Sequence, residues 1–210
     1  MTPAARPHVV VHVAISLDGA TTGFTPDVGR FYALARTWRE DITLAGADTI
    51  LAQERALRAA PRPGPVADGP LLAVVDSRAR VREWDALRDV GHWSEVLALR
   101  ASRSPDREGA VAELVTGSER VDLAAALAAF ARERAARTVR VDSGGGLVGA
   151  LLAADLLDEV SLLVHPLLAG IRGDRVWHGG ADVTTRALEL VGNEALGGGL
   201  VWLRYRVSPA

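Results

Sequence analysis

The chain has 210 residues, 49% of them hydrophobic and 24% charged, with a formal net charge of −2. That is a globular composition, long enough to bury a core unaided and too near neutral to seek nucleic acid or membranes through a global field. Cysteine is absent and all 24 basic residues are arginine, which excludes disulfides, thiolate metal centres, cysteine nucleophiles, Schiff-base lysines and the Walker lysine.

Residues 1–7 are predicted to be flexible, and the apolar run that follows is interrupted by His12. Neither a signal peptide nor a membrane span is expected, so the location is predicted as cytoplasmic, with no nucleic-acid or membrane partner. His8–Ile15 is apolar and β-branched and stops at Ser16-Leu17-Asp18-Gly19. An Asp-Gly turn after such a run predicts a buried strand feeding a loop. From Val28 to Trp38, Phe31, Leu34, Ala35 and Trp38 recur at helical spacing, with Asp27 as the cap. Ile42–Ala45 reads as a strand, and Gly46 opens a helical turn through Thr49, Ile50 and Leu51.

Gln53–Pro70 is rich in Ala, Arg, Pro and Gly and is predicted as one long loop, too long for a passive connector and so either mobile or a substrate lid. Leu71–Val75 is a further buried strand ended by Asp76-Ser77-Arg78, and Glu95–Leu99 and Ala112–Val115 are shorter ones. Asp122 caps a helix ending near Arg137. Thr138–Val141, Gly144–Ala153 and Glu159–Val164 read as strand, helix and strand. Arg186–Val191 and Leu200–Val207 flank the Gly197–Gly199 turn as an antiparallel hairpin. Strand–helix alternation closing on a hairpin predicts an α/β fold with a mostly parallel mixed sheet. With no internal repeat, it is expected to be a single domain over 1–210.

Thr138–Val141 delivers the chain through Asp142 and Ser143 to three glycines, and Gly144, Gly146 and Gly149 spell G-x-G-x-x-G. Glycine lets backbone approach a phosphate, and the first turn of a helix favours an anion. The acid that a Rossmann site needs about twenty residues on is replaced by His165-Pro166, so the pattern predicts a phosphate cradle outside a standard NAD Rossmann domain. The competing reading is that the glycines only permit close helix–sheet packing. The ends at Ser16–Gly19, Gly46–Thr49 and Asp76–Arg78 would join this one on a shared rim, where open α/β sheets bind ligands. The five histidines have no metal-ligand spacing, and His165 is predicted to be structural, with a cleft-facing role as the alternative. No metal is expected.

Together these segments resemble the pyrimidine reductase domain of riboflavin biosynthesis, which is dihydrofolate-reductase-like, usually forms the C-terminal half of a bifunctional deaminase/reductase in bacteria, and stands alone in archaea and fungi. The landmarks fall in order: Arg6-Pro-His-Val with Ser16-Leu-Asp-Gly19, Leu44-Ala-Gly-Ala-Asp-Thr49, Val75-Asp-Ser-Arg78, Asp142-Ser-Gly-Gly-Gly-Leu147, and Leu157-Asp-Glu-Val160 with His165-Pro-Leu-Leu-Ala-Gly170. The resemblance implies NADPH-dependent hydride transfer to the ribose C1′ of a phosphoribosylaminopyrimidine. It sets Ala14, Thr49, Ser77, Arg78, Gly144, Gly145, Gly146 and Leu147 against the cofactor, with Arg78 or Arg80 meeting the 2′-phosphate. Asp142, one methylene shorter than the family's usual glutamate, is implied as the catalytic and substrate-binding acid, with Leu57 also on the substrate side, while Arg30, Arg36 or Arg58 is the candidate for the substrate phosphate. A homodimer is implied as well.

The substrate half departs from the pattern: Ala20 stands where the family often has a basic residue, Val28 where it has a serine, and Gln53-Glu54-Arg55 where it has Asp-Asp-Pro. Two alternatives therefore stand beside the first reading. One is a reductase of the same fold acting on a pteridine or secondary-metabolism heterocycle. The other is a nucleotide-binding protein without turnover.

Overall fold

The computed structural model describes residues 6–107, 109–179 and 187–208. Its strands are β1 (His8–Ser16), β2 (Ile42–Gly46), β3 (Leu71–Val75), β4 (Glu95–Arg100), β5 (Ala112–Val115), β6 (Thr138–Val141), β7 (Glu159–His165), β8 (Leu188–Ala195) and β9 (Val201–Val207). The helices are α1 (Val28–Ala35), α2 (Ala47–Ala59), α3 (Trp84–Asp89), α4 (Leu123–Arg134) and α5 (Gly146–Ala153). The chain divides into two compact units, one of Glu40–Val139 with the start of the chain up to Pro7, the other of His8–Arg39 and Arg140–Ala210.

In the first unit the strand order is β5-β4-β3-β2, and every neighbouring pair is parallel. Gly46 therefore lies opposite Val75, and Val75 opposite Leu99, so three strands present their carboxyl ends along one edge. β2, β3 and β4 are apolar without alternation because both of their faces are covered. Ala45, Ile50, Leu57, Leu72, Val74, Trp84, Leu87 and Val96 belong to one buried cluster.

The lid predicted over Gln53–Pro70 is corrected here. Residues through Ala59 continue α2, and only 60–70 form a loop. Ala47, Ile50 and Leu57 are its buried residues; they are spaced as one helical face, and alanine carries no helix penalty. The breakers begin at Pro61. α3, six residues long, was not predicted; its apolar residues are too few to show a period.

In the second unit β1 pairs with β7 in parallel, while β7–β9 and β9–β8 are antiparallel. The predicted hairpin is present, turning through a 3-10 segment at Gly197–Gly199. Its first strand runs from Leu188 to Ala195; Arg186 lies outside the described residues. Asp27 and Asp122 cap α1 and α4 through side-chain bonds to the amides of Arg30 and Ala125, as their positions predicted. α4 stops at Arg134, ahead of the expected Arg137, because Ala135 turns left-handed with φ +51°. α5 begins at Gly146, two residues later than expected, because the φ of +58° at Gly145 is not helical.

Candidate active site

In the second unit β1 ends beside β7, with Ser16 opposite His165. The Ser16 hydroxyl donates to Asp18 at 2.5 Å, and the Asp18 carboxylate also accepts the amides of Ala169 at 3.0 Å and Gly170 at 2.9 Å. These donors, the Ser16 hydroxyl foremost, hold the Asp18 carboxyl down to about 2. Asp18 is thus a loop-pinning group.

His165 accepts the Asp27 amide on Nε2 at 2.9 Å, and Nδ1 faces the carbonyls of Ile15 and Leu163 at 3.2 Å each. An acceptor on one nitrogen and a donor on the other fix the neutral Nδ1–H tautomer from the network. It is a structural histidine, as the sequence predicted.

The chain leaves β6 through Asp142 and Ser143 into the glycine turn. Gly145 adopts φ +58° and ψ −119°, a region costly to any residue with a side chain. Its amide donates to the Trp177 carbonyl at 2.9 Å, and its carbonyl accepts the amide of Gly149 at 2.9 Å, the first helical bond of α5. The Trp177–Gly179 segment lies directly on this turn: a Cβ at Gly179 would come within 2.5 Å of the Gly145 backbone.

A Cβ at Gly145 or Gly146 would instead meet nothing within 4 Å. The amides of Gly146, Leu147 and Val148, in the first turn of α5, have no acceptor within the helix, and no acidic residue occupies that turn. Open space, orphan donors and the positive end of a helix dipole fit a dinucleotide phosphate. The Gly145 amide is already engaged by Trp177, so it does not belong to that donor set.

Asp142 is part-exposed and has two partners. The buried guanidinium of Arg140 lies 3.3 Å from Oδ2, and the carboxylate's charge acts on the nearby Tyr32 phenol. Burial, followed by the charge of Asp142, pushes the Tyr32 phenol up to about 12, so it stays a proton donor throughout the physiological range. Tyr32 remains 43% exposed and packs edge-on against Phe31. Phe31 in turn stacks on His12 at 4.3 Å. His12 donates from Nε2 to the Phe31 carbonyl and accepts the Ser161 hydroxyl on Nδ1, while Ser161 accepts the Trp202 indole N–H. Burial pulls the His12 imidazole down to about 4.

Ala14, half-buried opposite Leu163 in β1, and Arg30, exposed on α1, make no hydrogen bond or ion pair with this group among the described residues. The Arg30 guanidinium lies 4.0 Å from where a Cβ would sit on Gly197.

The remaining predicted residues belong to the first unit. Thr49 is half-buried in the first turn of α2. Leu57 is 9% exposed within the apolar core, on a helix and not on a lid. Ser77 and Arg78 occupy the turn after β3. The Ser77 hydroxyl accepts the Val121 amide at 3.3 Å, which leaves its proton available to an anion. Arg78 is exposed, whereas Arg80 is held by Asp48 at 2.7 Å. Sequence reasoning missed Tyr32 and Arg107; neither lies near a motif, so no local signal marked them.

The RibD C-terminal domain family matches residues 7–202. The chain belongs to this family. It is 30% identical to the 2,5-diamino-6-ribosylamino-4(3H)-pyrimidinone 5′-phosphate reductase of Methanothermobacter thermautotrophicus, over 97% of this chain and 99% of the relative. It is 33% identical to the reductase of the same name from Archaeoglobus fulgidus, over 80% of this chain and 84% of that one. The family's solved folds agree. A pyrimidine reductase-like protein from Corynebacterium diphtheriae superposes with a TM-score of 0.74 at 16% identity, covering 97% of this chain and 93% of the other. The riboflavin biosynthesis reductase Rib7 of Saccharomyces cerevisiae gives 0.69 at 18% identity, covering 97% and 90%. The α/β class and the reductase-family resemblance expected from the sequence both hold.

Among the described residues, no group of three His, Asp or Glu side chains is placed to hold a metal, and no helix is long and apolar enough to cross a membrane.

Proposed function

We propose that this chain is an NADPH-dependent reductase of riboflavin biosynthesis that acts on a phosphoribosylaminopyrimidine and reduces its ribose C1′. The observation that carries the reading is the opening of α5: room at Gly145 and Gly146, three first-turn amides without helical acceptors, and Asp142 just upstream. Bound NADPH supplies the hydride. The chain's own task is to hold both partners in register and away from water, which is mostly a matter of positioning.

Gly144, Gly146 and Leu147 are assigned to the pyrophosphate, Gly145 to the shape of the turn, and Ala14 and Thr49 to the cofactor's body. Ser77 and Arg78 are assigned to the 2′-phosphate, which a guanidinium suits by bidentate geometry. Asp142 is assigned to the sugar hydroxyls, with the Arg140 ion pair and the Tyr32 phenol beside it. When the furanose opens to the imine, the bond from C1′ to the ring oxygen breaks, the oxygen gains a proton and the glycosylamine nitrogen releases one, so the step is proton-neutral overall. Arg30 is the substrate-phosphate candidate, supported by exposure and by the lack of any ion pair among the described residues. A core position for Leu57 supports scaffolding over direct substrate contact.

The reading carries a cytoplasmic location and a homodimer. The dimer is supported by the edge strand β8, which exposes Leu188, Leu190 and Val191.

The test is loss of reduced-nicotinamide absorbance when the protein is given the ribosylaminopyrimidine phosphate, with dihydrofolate as the competing acceptor. Turnover of the pyrimidine alone supports the reading. Turnover of dihydrofolate alone moves the chain to another reductase class, and NADPH binding without oxidation of either makes it a nucleotide-binding protein.

A further inference from the structure

The turn after β3 is held by a residue far along the chain. Asp76, 1% exposed, ends the strand and directs its carboxylate into the following turn. Oδ1 accepts the Arg80 amide at 3.0 Å and Oδ2 accepts the Val81 amide at 3.0 Å. Within the loop so closed, Ala79 sits at φ +51°, left-handed for a residue with a Cβ, so the turn needs outside support to persist. That support is Arg107. Its side chain is 3% exposed, and NH1 donates to Asp76 Oδ2 at 2.9 Å. NH2 reaches the Asp76 carbonyl at 3.4 Å. Nε is fixed by Glu113 at 3.0 Å, and the guanidinium lies 4.8 Å from the centre of the Trp84 ring.

A buried carboxylate with two backbone amides and one arginine fork has no freedom to rotate, and neither does the turn it closes. Ser77 and Arg78 are carried on that turn. Arg80 is committed to Asp48, so Arg78 is the arginine of the pair with no ion pair among the described residues. The clamp therefore sets where the available guanidinium points, without approaching the phosphate itself.

We infer that Arg107 is a positioning residue for recognition of the cofactor's 2′-phosphate. Through Asp76 it holds the Ser77–Arg80 turn in the shape that lets this chain prefer NADPH over NADH. The inference rests on the reading that Ser77 and Arg78 meet that phosphate.

The experiment compares Arg107→Ala, Arg107→Lys, Asp76→Asn and Arg78→Ala with the unaltered protein. It reads KM for NADPH and NADH, and equilibrium binding of 2′,5′-ADP against 5′-AMP. Arg107→Ala is expected to raise KM for NADPH and weaken 2′,5′-ADP by about tenfold, with kcat, KM for NADH and 5′-AMP binding nearly unchanged. Arg107→Lys, which keeps the charge without the fork, should recover part of the loss. If Arg107→Ala does not fold, Asp76→Asn should show the same selective loss. Equal losses for the phosphorylated and unphosphorylated ligands, or no loss for either, would overturn the clamp. If Arg78→Ala leaves NADPH and 2′,5′-ADP binding unchanged, the underlying assignment of the turn falls instead. If Arg78→Ala weakens them while Arg107→Ala and Asp76→Asn do not, the clamp alone falls.

Discussion

The Tyr32 phenol feels the charge of the Asp142 carboxylate, which couples the middle of α1 to the residue leaving β6. With the Arg140 guanidinium 3.3 Å from the same carboxylate, the acid proposed to hold the sugar is flanked by one neutral hydroxyl and one ion-paired cation. Asp142→Ala is expected to cut turnover by at least about tenfold with NADPH affinity nearly intact. Tyr32→Phe should cost less, about threefold to tenfold, and again spare the cofactor. Steady-state kinetics beside a direct NADPH titration check both; equal loss of turnover and of NADPH affinity would remove Asp142 from the substrate side.

His12 gives the fold an acid limit. Burial lowers its folded pKa from 6.5 to about 4, so between those values the unfolded chain binds a proton that the native chain refuses. Stability from this group is complete above about pH 6.5 and is lost as pH falls toward about 4, a change of about 3 kcal/mol at 1.4 kcal/mol per pKa unit. Denaturant midpoints measured across that window should fall for the natural chain and stay flatter for His12→Asn. Parallel curves would show that other groups set the limit.

Leu57 separates a core role from a lid role. Leu57→Ala opens a cavity among residues that include Trp84 and Val96 and should lower unfolding free energy by about 3 kcal/mol. The substrate KM should stay within about twofold. A raised KM with unchanged thermal stability would return Leu57 to the substrate pocket.

The apolar edge at β8 makes the proposed dimer checkable. Leu190 is 49% exposed beside Val191 at 40%, at the register irregularity between Leu190 and Gly192. Leu190→Lys puts a charge on the edge and is expected to give monomers by light scattering where the natural chain gives dimers. A natural chain that is already monomeric would refute the pairing.

Patterns carried by neighbours in sequence were legible from sequence alone. The unbroken apolar run of β3 and the mostly apolar runs of β1 and β7 marked those strands, since strands covered on both faces carry few polar positions. Asp27 and Asp122 announced their helices because a cap acts over three residues. Five motifs in order placed the chain in its family and gave the glycine turn and Asp142. Where composition stood in for period the reading failed: the arginines and alanines of 53–59 suggested a loop, while the spacing of Ile50 and Leu57 already described a helical face.

Contacts between distant segments were decided only in three dimensions. Tyr32 meets Asp142, and Arg107 meets Asp76, because separate elements bring them together; a side chain's partner across such separations leaves no local trace. The same holds for the Gly145 amide. The sequence offers three glycines as equivalent donors, yet the Trp177 carbonyl takes one of them, and that choice belongs to the folded chain.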